Sequence, residues 1–121
     1  MTQNDALAWC KNLSDSWKNV DFNQIHEIFS QIKYYYEDPF SEPGSTPEDI
    51  QGFWDEIQYQ KINILNIVPV AIDGNILIAR WFLDYVDIRT NESIIMDGIY
   101  QIEFNDEKKC IKFIQWWVMK E

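Results

Sequence analysis

The sequence predicts a single α+β domain spanning residues 1–121, and three observations carry that reading. Helical periodicity is confined to the first half, strand-like alternation takes over after about residue 59, and turn residues cut the second half into four runs. Helices gathered first and strands gathered after is the α+β order, not the βαβ alternation that builds a parallel sheet.

The first helix is marked by Ala6, Trp9, Cys10, Leu13 and Trp17 at helical spacing, with Thr2 and Asp5 three residues apart as a start signal. Asp21 can cap a second, short helix whose apolar face is Phe22, Ile25, Ile28 and Phe29. From Ile32 to Asp38 the period changes to that of a strand. Tyr34, Tyr36 and Asp38 then share one side, and Tyr35 and Glu37 the other. Pro39 ends the strand by holding its predecessor extended, and Pro43 and Gly44 make 41–45 a loop.

Thr46 caps a third helix, Pro47 occupies its first position, and Glu48 and Asp49 suit its positive end. Ile50, Phe53, Trp54 and Ile57 form its apolar stripe. Four strands follow at 60–72, 76–88, 93–104 and 109–119. Asp73-Gly74 turns the first pair and Asn105–Lys108 the last. In the 76–88 run, Leu77, Ala79, Trp81, Leu83 and Tyr85 share one face; Ile76, Ile78, Arg80, Phe82, Asp84 and Val86 share the other. Neither face is polar, so both are expected to be covered, one by the helices and one by a curled sheet or a partner subunit.

A chain of 121 residues supports one core, and six Trp, six Tyr and seven Phe make it aromatic-rich. The net charge of −10 repels phosphate backbones, so nucleic acid and anionic membrane are not expected partners. No apolar run has the length of a membrane span and the N-terminus lacks signal-peptide regions, which together predict a cytoplasmic protein. Cys10 and Cys110 are isolated thiols. With a single histidine, His26, no metal site is legible, and without a glycine-rich phosphate loop no nucleotide cofactor is expected.

Two stretches carry a family resemblance. Tyr36-Glu37-Asp38-Pro39-Phe40, with Gly44, Ile50 and Phe53-Trp54, is one. The other is Asp97-Gly98-Ile99-Tyr100-Gln101-Ile102-Glu103-Phe104-Asn105 with Cys110-Ile111-Lys112-Phe113 and Trp116-Trp117. Both resemble SnoaL-like members of the nuclear transport factor 2-like superfamily. The resemblance implies a cone, in which a strongly bent antiparallel sheet wraps around the helices and leaves a pocket at its open end. It also implies a homodimer paired through the sheet. Relatives include cyclases, a steroid isomerase, dehydratases and plain binding modules, so fold does not select function.

Asp38 is the sharpest candidate for chemistry. Its surroundings are similar to those of the steroid isomerase's general base, and a carboxylate among aromatic rings loses solvation and gains basicity. Asp before Pro is also a turn-former. The isomerase's two oxyanion donors align with Leu13, which donates nothing, and with Tyr100, which can; steroid isomerisation is therefore not expected. Trp17, Tyr34, Tyr36, Phe53, Trp54, Ile57, Trp81, Tyr100, Phe113 and Trp117 are candidates for an aromatic pocket wall around a small apolar ligand. Leu13, Arg80, Phe82 and Asp84 are candidates beside them. Gly98 inside a strand marks a bulge, a bend or a close backbone approach. Trp116 and Trp117 are adjacent, so at least one must leave a single core layer.

Overall fold

The computed structural model describes residues 1–121. Its order is α1 (Gln3–Lys18), α2 (Phe22–Ile28), β1 (Tyr34–Tyr36), α3 (Pro47–Trp54), a 3₁₀ turn (Asp55–Tyr59), β2 (Gln60–Asp73), β3 (Ile76–Asp87), β4 (Glu92–Phe104) and β5 (Cys110–Met119). The four long strands match the predicted runs to within a residue.

The same reciprocal cap starts α1 and α3. Thr2 Oγ1 accepts from the Asp5 N–H at 3.1 Å while the Asp5 carboxylate accepts from the Thr2 N–H at 2.9 Å. Thr46 and Asp49 repeat the exchange at 3.0 and 3.1 Å. Asp21 caps α2 by accepting from the Gln24 N–H at 3.1 Å. The α3 stripe was expected to run through Ile57; the helix instead ends at Trp54 and tightens into the 3₁₀ turn, which still buries Ile57.

The sheet runs β1-β5-β4-β3-β2. Four strands pair antiparallel, and β1 joins the β5 edge in parallel register, Tyr35 beside Phe113. β1 is only three residues long where 32–38 was expected to be extended. The reason lies just beyond it. The Asp38 carboxylate accepts from the Phe40 N–H at 2.8 Å, and the Ser41 hydroxyl donates to the Asp38 carbonyl at 3.0 Å, which folds the chain back. Gly44 then exchanges two 2.9 Å backbone hydrogen bonds with Tyr35.

Alternate residues of the sheet face the helices and make one core. Leu77, Ala79, Trp81 and Leu83 come from β3, Tyr100, Ile102 and Phe104 from β4, and Phe113 from β5. α1 answers with Ala6, Cys10, Leu13 and Trp17, α2 with Ile25 and Ile28, and α3 with Ile50 and Trp54. Phe113 sits at the centre, with the rings of Tyr100, Tyr35 and Phe29 at 4.6, 4.8 and 5.2 Å. Both cysteines are buried and free; burial pushes Cys10 up to about 11 and Cys110 further, so neither is a reactive thiolate.

The opposite face of the sheet has no covering element within the chain. Trp116 and Val118 on β5 are 41% and 70% exposed, and Ile64 and Val68 on β2 are 44% and 50% exposed. No helix is long and apolar enough to cross a membrane.

Candidate functional site

Beneath the helices lies a pocket of about 130 Å³. α1 contributes Trp17, and α3 with the following turn contributes Phe53, Trp54, Glu56 and Ile57. Tyr35 of β1 and Gln60 at the start of β2 complete that side. The sheet supplies Trp81 and Leu83 from β3, Met96 and Tyr100 from β4, and Gln115 from β5. These side chains meet because of the pleat: Tyr100 faces Gln115 across β4–β5 and Leu83 faces Met96 across β3–β4, all on the helix side.

The rings pack edge to face and in stacks. Trp17 meets Trp54 edge-on at 5.0 Å, Trp81 stacks on Tyr100 at 5.4 Å, and Tyr35 stacks on Phe53 at 4.7 Å. Their polar tips are unequally served. The Trp17 indole N–H donates to Gln60 Oε1 at 2.7 Å. The Trp54 and Trp81 indole N–H groups are buried and have no acceptor in the chain. The neighbouring Trp54 indole offsets a little of the upward shift of the Tyr35 phenol without forming a hydrogen bond to it.

Burial pushes both buried phenols far above the usual tyrosine range; nearby Tyr100 and Glu37 add to the effect at Tyr35, and Cys10 adds to it at Tyr100. Both stay protonated and keep an O–H to donate. Glu37 follows Tyr35 by two residues at the end of β1. Partial burial raises its carboxyl, and the adjacent Asp38 charge raises it further. Glu56, at the pocket wall, is paired with Arg89, which also binds Asp87 at 2.9 Å and covers the Tyr59 ring at 4.2 Å.

The sequence-derived candidates divide between the two faces of the sheet. Trp17, Phe53, Trp54, Ile57, Trp81 and Tyr100 line the interior pocket. Leu13 and Phe113 are core residues packed behind it. Tyr34 and Tyr36 point to the outer side, along a shallow surface with Lys112 of β5. Arg80, Phe82 and Asp84 lie on the outer side of β3 and do not reach the interior. Arg80 is held by Asp97 through two hydrogen bonds of 3.1 and 2.6 Å, and Asp84 accepts from Asn63 at 3.3 Å. The Arg80 guanidinium in turn holds the Asp97 carboxyl low.

Asp38 and Tyr100 do not face a common point. Asp38 borders an outer groove of about 660 Å³, with Phe40, Arg80, Asp97, Trp116 and Trp117, and its carboxylate is engaged in the turn to Phe40. Tyr100 is sealed under the helices, in the other pocket. Tyr35, Glu56, Gln60, Leu83, Met96 and Gln115 are pocket residues that the sequence reading left out. For Tyr35 the signal existed: it alternates with Tyr34 and Tyr36, but three consecutive tyrosines do not say which side is inward. His26 is remote from both openings and bonds Gln51 at 2.9 Å, tying α2 to α3.

Neither a protein-family model nor a curated protein matches the sequence. Solved structures do match the fold. A candidate isomerase from Bacillus subtilis superposes with a TM-score of 0.78 at 14% identity, over 98% of this chain and 90% of that one. A candidate polyketide cyclase from Xanthomonas campestris pv. campestris gives 0.75 at 10% identity, over 93% and 90%. A candidate SnoaL-like polyketide cyclase from Mesorhizobium loti gives 0.66 at 13%, over 96% and 99%. The chain therefore shares the fold of these structures, a SnoaL-like one among them: α+β, with helices on one face of an unclosed five-stranded sheet.

Proposed function

We propose that this protein is a small-molecule-binding domain whose ligand occupies the pocket between the helices and the sheet. The observation that carries the reading is the aromatic wall that the helices and the sheet build around this space, with Gln60, Gln115 and Glu56 as its polar members. An apolar enclosure with a few directed polar groups is how proteins hold small ligands. Native mass spectrometry before and after incubation with a small-metabolite extract tests it. A bound mass lost in Trp54→Ala and retained in Trp116→Ala supports the interior pocket; a mass lost only in Trp116→Ala moves the ligand to the outer groove and defeats the reading.

A second reading is proton transfer near a carbonyl, in keeping with the isomerase and cyclase names of the structural neighbours. The residue that favours it is Glu37 rather than Asp38. Glu37 has the raised carboxyl and lies close enough to Tyr35 for its charge to raise that phenol. A carboxylate made more basic by burial, beside protonated phenol donors, suits enolisation. Exchange of ketone α-protons for deuterium, lost in Glu37→Gln and kept in Asp38→Asn, is the expected result; exchange that needs Asp38 would overturn the assignment.

The outer face suits pairing with a second copy, given Trp116, Val118, Ile64 and Val68 standing in solvent. Sedimentation velocity checks this: a dimer that dissociates in Trp116→Ala is expected, and a monomer at all concentrations removes it.

A further inference from the structure

We infer that the 3₁₀ turn Asp55–Tyr59 is a flap over the interior pocket, latched by Arg89, and that ligand enters beneath it from a cleft on the other side of the turn. This rests on the binding reading above for what enters, and adds the route and the latch.

The route follows from a shared partition. A cleft of about 510 Å³ lies between the C-terminal end of α1 and the first half of β2, with Lys18, Val20, Asn63 and Asn66 among its lining residues. Trp17, Ile57 and Gln60 line this cleft and the interior pocket alike, so these three side chains stand between the two spaces. Trp17 and Ile57 are only 5% and 4% exposed, so the partition is closed in this structure. Trp17 is tied down: its indole N–H donates to Gln60 at 2.7 Å, and its ring packs edge-on against Trp54. Ile57 is held by packing alone and rides on the turn.

The turn is the wall element best able to move. α1 and α3 each begin at a reciprocal side-chain cap, and β3, β4 and β5 are laddered to one another along the opposite wall. The turn has five residues, no side-chain cap and the poorer hydrogen-bond geometry of a 3₁₀ helix. Short segments at the ends of regular elements are where lids hinge.

What holds it comes from the β3–β4 connection. The Ile88 N–H donates to the Tyr59 carbonyl at 2.9 Å. Arg89 then grips the flap twice: its guanidinium covers the Tyr59 ring at 4.2 Å and pairs with Glu56. Asp87 accepts from the same guanidinium at 3.1 and 2.9 Å, which keeps the arginine on the hairpin when the flap swings. Glu56 itself lines the pocket, so breaking its pair with Arg89 loosens the wall directly. The Arg89 and Glu56 side chains are 44% and 62% exposed, so dissolved salt weakens the catch.

The test uses the intact chain and two readings. Hydrogen exchange measured by mass spectrometry follows the amides of residues 55–60. Arg89→Met releases the latch, and Arg89→Lys keeps the charge without the planar fork. Exchange of the turn is expected to be about tenfold faster in Arg89→Met and intermediate in Arg89→Lys, with α1 and β4 unchanged. Added sodium chloride should speed it in the natural chain and not in Arg89→Met. Equal exchange in all three chains, or faster exchange spread over α1 and β4, overturns the latch.

Benzene probes the route, being of the size that a pocket of about 130 Å³ can take. Its binding is followed on the Trp54 indole N–H signal by NMR, identified with Trp54→Phe. A gate raises association and dissociation rates together, by about tenfold in Arg89→Met, and leaves Kd within about twofold. A weakened Kd with an unchanged association rate would mean that Arg89 only supports the wall, and overturns the gate. If benzene moves no interior indole signal in any chain, the pocket reading falls and takes the route with it, whereas the exchange result still decides the latch.

Discussion

Gly98 lies against the indole of Trp81: a Cβ built there would stand 2.5 Å from Trp81 Nε1 and 2.3 Å from the Trp116 carbonyl oxygen. The glycine keeps its regular place in the ladder, opposite Trp81 on one side and Trp117 on the other. It is neither a bulge nor a turn. What it provides is room for the large ring that closes one wall of the pocket.

Gly98→Ala is accordingly expected to destabilise the fold by about 1–3 kcal/mol, the usual cost of overpacking, since a backbone carbonyl cannot swing aside. Urea denaturation measures the loss. A shift in tryptophan emission at low denaturant would report that Trp81 has been displaced.

Phe113→Ala removes the ring that Tyr35, Tyr100 and Phe29 all touch within 5.2 Å. A cost of about 3–5 kcal/mol is expected, as for large aromatic truncations in closed cores. Equilibrium unfolding with a midpoint shift of less than about 1 kcal/mol in free energy would contradict the central placement of this ring.

Asp38 separates by substitution. Asp38→Asn keeps an oxygen that can accept from the Phe40 N–H, so stability should change by less than about 0.5 kcal/mol. Asp38→Ala loses that bond and should cost about 1 kcal/mol. Paired thermal denaturation of the two variants checks the difference, and equal losses would mean the charge, not the turn, is what matters.

Two groups give opposite pH signatures. Asp5 is held down to about 2, chiefly by the Thr2 backbone N–H and then by Lys108, from an ordinary 3.8. A depressed acid stabilises above its unfolded value, so this contribution is complete above about pH 4 and disappears as the pH falls through about 2. Asp49, lowered by the Ser45 and Thr46 backbone N–H groups, follows the same direction at α3. Loss of helical circular dichroism across that window, blunted in Asp5→Asn, is the expected observation.

Glu37 runs the other way. Its carboxyl is raised from an ordinary 4.5 by burial, so its favourable contribution is present below that value and is lost as the pH rises through its folded value. Glu37→Gln should therefore raise the urea midpoint at pH 7 relative to the natural chain, with little difference at pH 4. A variant less stable at pH 7 would show that the charge has a partner.

Much of this fold was legible because its signals are local. Thr2 with Asp5, Thr46 with Pro47 and Asp49, and Asp73-Gly74 each act within a few residues, and the elements they bound appear where expected. The candidate site was less legible because it depends on parity. Tyr34-Tyr35-Tyr36 is apolar on both sides, and the outer sides of β3 and β5 carry Phe82 and Trp116, so hydrophobicity does not mark the inward face. Helix packing decides it, and helix packing is a long-range fact. For the same reason Asp38 was grouped with interior residues that it does not meet.

The two margins of the sheet are dissimilar, and each is blunted. On one side β1 spans three residues, and its free edge is occupied by Gly44. On the other, β2 breaks its register near Ile62 and again at Pro69, a residue that has no amide hydrogen to offer. A flat strand bordering solvent would invite further strands and, in time, fibrils. Here neither border can serve as such a template. Growth by adding strand after strand is therefore disfavoured at both borders of the folded chain.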